Sequence, residues 1–188
     1  MSSLKIDFRC PKCRKKTRTK LYRDVDSSKI RNIYDRSLFS VTCPYCYDVS
    51  VLDYSIIVYG ENYSVLYCVN EDKLEFSKEK EIKRIVKNYS DLKEKLLILE
   101  DKYNDILIEF IKEFLLNQLD KELVKDITDI RYDGSNEDSL IFYLVGINKS
   151  IGCKISFYEE LLKQSEFKNI DSCIEVDKES YHNYFRLR

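Results

Sequence analysis

Apolar residues alternate with polar ones at Ile6, Phe8 and Cys10, and again at Phe39, Val41 and Cys43, which predicts a short strand leading into each of two Cys-Pro-x-Cys motifs. Alternation resumes after each motif. The segment KKTRTKLY places Thr17 and Thr19 between basic residues, and VSVLDYSIIVY is followed by a Gly60, Glu61, Asn62 turn and YSVLYCV, the pattern of a hairpin. This knuckle-plus-strand unit is the one internal repeat in the sequence. Between its two copies, Ile30, Ile33 and Tyr34 recur at helical spacing and predict one short helix.

Residues 71–81 (EDKLEFSKEKE) are charged and poor in apolar side chains, so the boundary of this β-rich head is expected near residue 75. Leu92, Leu96, Leu99, Tyr103, Ile106, Phe110 and Phe114 then recur every three or four residues, the signature of a core-facing helical stripe. A single helix of that length is unusual, and Ser90 and Asn104 are good N-caps, so two helices are expected. Downstream, DITDIRYDG and SLIFYLV flank a polar turn from Asp133 to Asp138 as a second hairpin. CKISF adds a strand, FYEELLKQ and DKESYHNYF read as helices, and CIEV as a strand between them.

Composition narrows this picture. The 188 residues are 44% hydrophobic and 35% charged, an ordinary globular balance, and four glycines with two prolines leave little material for structureless linkers. No apolar run approaches the roughly 18 residues of a membrane helix, and MSSLKIDFRCPK lacks the apolar stretch of a signal peptide, so a cytoplasmic setting and no membrane partner are expected. Charge is uneven. Residues 1–50 hold 12 Lys and Arg against 5 Asp and Glu, net +7, leaving 20 against 28 from residue 51 on, net −8. From Arg9 to Arg23 there are eight basic side chains and no acid.

Seven cysteines in a setting where thiols stay reduced point to metal ligation or burial rather than to a disulfide framework. Cys10, Cys13, Cys43 and Cys46 form C-x2-C-x29-C-x2-C, two bidentate clips matching a closed tetrahedral zinc site. The two prolines, Pro11 and Pro44, occupy the same place in each clip. Proline fixes its own φ and pushes the preceding cysteine toward extended geometry, so a strand can run into a turn that brings the second sulfur back to the first. Arg14 and Tyr47 stand where many knuckles place a glycine in the left-handed region.

With its CPKC and LFSVTCPYC segments, and more loosely RIVKNYSDLKEKLLILEDKYNDILIEFIK, the chain resembles the CpXC family of intracellular prokaryotic proteins named for paired CPxC motifs. The resemblance implies a metal-binding domain and no particular biochemical activity.

Two other chemistries compete for the clips. CPYC also occurs in glutaredoxin-like sites, but such a motif opens a helix, whereas YDVSVLDYSIIVY reads as strand, and no later proline is available for a cis-Pro loop. Four thiolates also hold iron in rubredoxin-like centres, and spacing does not choose the metal. Structural Zn2+ is the expected cofactor, with iron as the alternative. Four sulfurs leave no open coordination position for catalysis, and so small a head is expected to depend on its metal.

The only histidine, His182, removes Cys2His2 fingers and HExxH hydrolases, and no phosphate-binding glycine loop is present. Cys68, Cys153 and Cys173 lie in apolar, strand-like settings and are expected to be small buried hydrophobes. The basic run either offsets the −2 charge of a Zn(Cys)4 centre or, with Arg14, Lys16, Arg18 and Lys20 on one strand face, binds nucleic-acid phosphates, aided by stacking on Tyr22 or Tyr45.

The expected fold class is α+β: a zinc-ribbon-like antiparallel β head on residues 1–75, then a mixed α+β domain on residues 76–188. The expected function is a protein-interaction module built on structural zinc, its partner unidentified. Nucleic-acid binding through the basic head, and an enzyme with an unrecognised site in the C-terminal region, are the alternatives.

Overall fold

The computed structural model describes residues 1–69 and 74–164. The expected strand CIEV, the expected helix DKESYHNYF, Cys173 and His182 lie outside the described residues. The fold is α+β, as expected, and divides into two compact units, the first covering Met1–Lys93 and the second starting at Glu94. The expected boundary lay near residue 75. Among the described residues no helix is long and apolar enough to cross a membrane.

In the first unit, β1 (Ser3–Arg9) pairs antiparallel with β2 (Lys16–Tyr22), and β4 (Ser40–Thr42) with β5 (Val49–Val51). Between these hairpins lie β3 (Asp24–Asp26) and the short helix α1 (Ile30–Tyr34), whose Ile30 and Ile33 are buried. A four-stranded mixed sheet carries the main core of the unit. In it β6 (Ile56–Tyr59) and β7 (Tyr63–Tyr67) form the expected hairpin, and every residue of both strands is buried. The strand β3 joins parallel to β6, and β8 (Ile82–Val86) joins parallel to β7. It is β8 that carries the first unit past residue 75.

Helix α2 (Tyr89–Glu100) and helix α3 (Asp105–Gln118) are the two expected from the apolar stripe. The Asn104 carboxamide accepts from the backbone N–H of Ile106 and Leu107 at 3.0 and 3.1 Å, the N-cap its sequence position foretold. At α2 the cap is Asn88 rather than Ser90, accepting from Asp91 N–H at 2.9 Å.

The second unit contains a short helix α4 (Lys121–Val124) and three antiparallel strands in the order β11-β10-β9, namely β9 (Asp129–Ser135), β10 (Ser139–Val145) and β11 (Lys149–Lys154). Helix α5 (Ile155–Lys163) follows directly, so Ile155 to Phe157, expected in a strand, begin a helix instead. Alternation along β10 buries Leu140, Phe142 and Leu144 against Ile106, Leu107, Ile108 and Ile111 of α3 and Tyr158 and Leu161 of α5. Beside this apolar core lies a buried ionic network. Glu94 accepts from Lys112 Nζ at 2.9 Å, Arg131 Nη1 at 3.0 Å and the Tyr132 N–H at 2.7 Å, while Lys95 pairs with Asp105 at 2.9 Å. Burial pushes the Glu94 carboxyl up, but Lys112, the Tyr132 amide and Arg131 together hold it below its ordinary value.

Candidate metal centre

Cys10 directly follows β1, and Cys43 directly follows β4. Each cysteine begins a tight turn with the same hydrogen bonds. Arg14 N–H donates to Cys10 C=O at 2.9 Å and Cys10 N–H to Lys15 C=O at 3.1 Å; Tyr47 N–H donates to Cys43 C=O and Cys43 N–H to Asp48 C=O, both at 2.9 Å. Arg14 and Tyr47 adopt the left-handed region, at φ 61° and 59°, although neither is glycine. A side chain there costs on the order of 1 kcal/mol, so both turns carry local strain that the rest of the centre must offset.

The turns bring all four sulfurs to one point. The Sγ atoms of Cys10, Cys13, Cys43 and Cys46 lie within 4.8 Å of one another, with Cys10–Cys46 and Cys13–Cys43 at 3.6 Å. A tetrahedron of sulfurs about 2.3 Å from zinc has edges of about 3.8 Å, so this set fits one ion with little adjustment. A disulfide needs about 2.05 Å, and none of the four is so bonded. Cys10 and Cys43 are fully buried while Cys13 and Cys46 are half-buried, a closed site with one side near the surface. Phe8 and Val41 are buried with the cysteines, and Leu52 packs against them.

The thiols differ in acidity. Burial raises the Cys43 thiol, but the amides of Tyr45 and Cys46 and the Cys13 thiol outweigh it and bring Cys43 down to about 7. For Cys46 the Asp48 amide pulls down, yet burial and the neighbouring thiols of Cys13, Cys10 and Cys43 push it up to about 12. Four thiols this close resist ionising together. A cation at the centre removes that resistance, since it binds the thiolates and releases their protons.

The two clips repeat at an offset of 33 residues, as Cys10 to Cys43 and Cys13 to Cys46 show, and their contacts are reciprocal. Lys12 Nζ lies 3.6 Å from Asp48 Oδ1, and Lys15 Nζ sits 4.7 Å from the centre of the Tyr45 ring. Residue 12 corresponds to 45 and residue 15 to 48, so these are one contact seen from both sides, the reciprocity of a local two-fold axis. The registers agree as well, Arg9↔Lys16 matching Thr42↔Val49 and Phe8↔Thr17 matching Val41↔Ser50.

Of the basic residues singled out from sequence, Lys16, Arg18 and Lys20 occupy exposed alternate positions on β2, whereas Arg14 lies in the turn before it. Sequence reading left Lys5 outside the basic run and did not place Arg9 on the strand face. Register places them on β1 directly opposite Lys20 and Lys16, a pairing that period-2 counting back from the turn would have found. Cys68 is half-buried against Ile57, Tyr59 and Leu66, and Cys153 is buried in the second unit's core, where burial raises its thiol. Neither joins the cluster.

No curated protein and no solved structure matches the chain. A family model described as CpXC protein matches residues 8–112, which include both clips and more than half of the sequence. With four clustered thiols at the two CPxC turns and that match, the chain belongs to the CpXC family.

Proposed function

We propose that this protein is a cytoplasmic interaction module whose N-terminal unit is shaped by one structural zinc ion held by Cys10, Cys13, Cys43 and Cys46. The observation that carries the reading is the four-sulfur cluster, because a closed set of thiolates suits a structural ion and leaves no position for activating water. The role as a docking platform draws on the second clip. Tyr45, Tyr47, Val49 and Val51 are 54%, 79%, 60% and 50% exposed, half of the large apolar side chains exposed among the described residues.

An extended, apolar segment of a protein partner is the occupant that suits this stripe. The Cys43–Asp48 and Leu52–Phe39 hydrogen bonds fix the ladder phase of β4 and β5, so the N–H and C=O groups of Val49 and Val51 point away from β4, and β5 pairs with no other strand among the described residues. An added strand would bond to those groups and lay alternate side chains beside the valines.

Elemental analysis of the purified protein tests the zinc: one zinc per chain is expected, and iron with the visible absorption of a rubredoxin-like centre would replace that part of the reading. Selection from a displayed peptide library tests the platform. Enriched peptides should be extended and apolar, and should lose binding to a Val49→Lys variant; absence of enrichment would count against docking.

A further inference from the structure

The matched positions of the two clips have opposite surface chemistry. Tyr45, Tyr47, Val49 and Val51 correspond, at the 33-residue offset, to Lys12, Arg14, Lys16 and Arg18. Phe8 and Val41 share one small core, so each hairpin turns its other face away from that core. On the outward face of the β1–β2 ribbon, register pairs Lys5 with Lys20, Asp7 with Arg18, and Arg9 with Lys16. Five cations thus share one face with a single acid, which pairs with Arg18 at 3.3 Å.

This arrangement works against the ribbon's own stability. The hydrogen bonds Cys10–Lys15 and Arg23–Ser2 fix the ladder phase, and it makes Lys5–Lys20 and Arg9–Lys16 non-hydrogen-bonded pairs, the positions at which opposed side chains come closest. Like charges directly opposite are destabilising. The metal centre does not need them, since Lys12 and Lys15 already lie against the second clip. Lys20 Nζ lies 4.7 Å from the centre of the Tyr22 ring, but no carboxylate among the described residues pairs with Lys5, Arg9, Lys16 or Lys20, and a local rule broken twice without a neutralising acid is expected where a ligand supplies the negative charge.

We infer that the outward face of the β1–β2 ribbon, through Lys5, Arg9, Lys16, Arg18 and Lys20, binds the phosphate backbone of nucleic acid. Charge alone would also admit an acidic peptide. A nucleic acid is favoured because cations repeat along both strands at about 6.7 Å intervals with one aromatic ring, Tyr22, beside Lys20 at the end of the face, the surface of a polyanion site with a stacking position rather than of a peptide groove. A two-stranded ribbon also matches the width of a duplex major groove. The site is on the first clip and is independent of the docking stripe on the second.

The experiment uses the intact metal-loaded protein and a fluorescent 20-base-pair DNA duplex of random sequence, with polyglutamate as competitor. With Asp7 offsetting one of five cations, about four counterions are released, and affinity should fall about 150-fold between 50 and 200 mM salt. A Lys5→Gln, Lys20→Gln double variant should lower the slope of log affinity against log salt by about 2. It also removes a like-charge pair, so a loss of binding would not trace to unfolding. Tyr47→Ser should bind DNA as the wild type does. No binding at 20 mM salt, a slope unchanged in the double variant, or polyglutamate competing as well as unlabelled DNA would each overturn the inference.

Discussion

Removing the metal should dissolve the two clips while leaving the mixed sheet folded. Around the sulfurs, Phe8 and Val41 are the large apolar side chains that are buried, at 8% and 7% exposure. At roughly 1.5–3 kcal/mol each they supply roughly 3–6 kcal/mol, whereas a structural Zn(Cys)4 site contributes roughly 10–16 kcal/mol. At the clips, then, a bound ion would outweigh the apolar contacts around it. The sheet differs, because all residues of β6 and β7 are buried and Ile56, Val58 and Val65 are fully so. Hydrogen exchange followed by mass spectrometry, before and after chelation with metal loss verified by elemental analysis, reads both regions at once. Amides of residues 3–22 and 40–51 should lose protection, and those of residues 56–67 and 129–154 should keep it. Unchanged protection at residues 3–22 and 40–51 in verified metal-free protein would mean that something other than the ion holds the clips together.

Replacing Arg14 or Tyr47 by Gly should raise stability by roughly 0.5–1 kcal/mol each, through relief of the left-handed strain, measured by chemical denaturation of the metal-loaded protein. Asn104→Ala should cost about 1 kcal/mol by the same assay, from loss of the α3 N-cap. Glu94→Gln should destabilise the second unit by about 1–3 kcal/mol, because Lys112 and Arg131 lose one charged acceptor while Lys112 keeps Glu109 and Arg131 keeps Asp129. Glu94 is held below its ordinary 4.5, so its stabilisation is complete above that pH and is lost as pH falls through the lower folded value. Acid titration of wild type against Glu94→Gln should show the gap closing below pH 4.5.

The hairpins at both clips and β9–β10 were legible because one face of each strand meets a core and the other does not, which writes a period of two into the residues, whereas β6–β7, buried on both faces, was legible as two short apolar runs around the Gly60, Glu61, Asn62 turn. Asn104 was legible because a cap is a local hydrogen bond. What escaped depends on distant partners. β3 is three residues long, and no pattern in Asp24–Val25–Asp26 reveals a parallel neighbour at Ile57 to Tyr59. β8 reads poorly as a strand because Arg84, at 1% exposure, is buried in its middle. For the centre, the four ligands and both prolines stood in the sequence, but the back-to-back contrast of its faces required the register of each hairpin.

The reciprocity of the clips has a further physical meaning. Each turn offers two sulfurs, and an ion of tetrahedral preference needs four, so a lone clip could satisfy it only by recruiting another molecule. Joining both halves through the 29 residues between Cys13 and Cys43 turns that encounter into a ring closure, at an effective concentration on the order of millimolar. The paired clips are in this sense a dimer within one chain, each saturated by the other, and an ion that four sulfurs bind would be held with an affinity that does not depend on how much protein the cell makes.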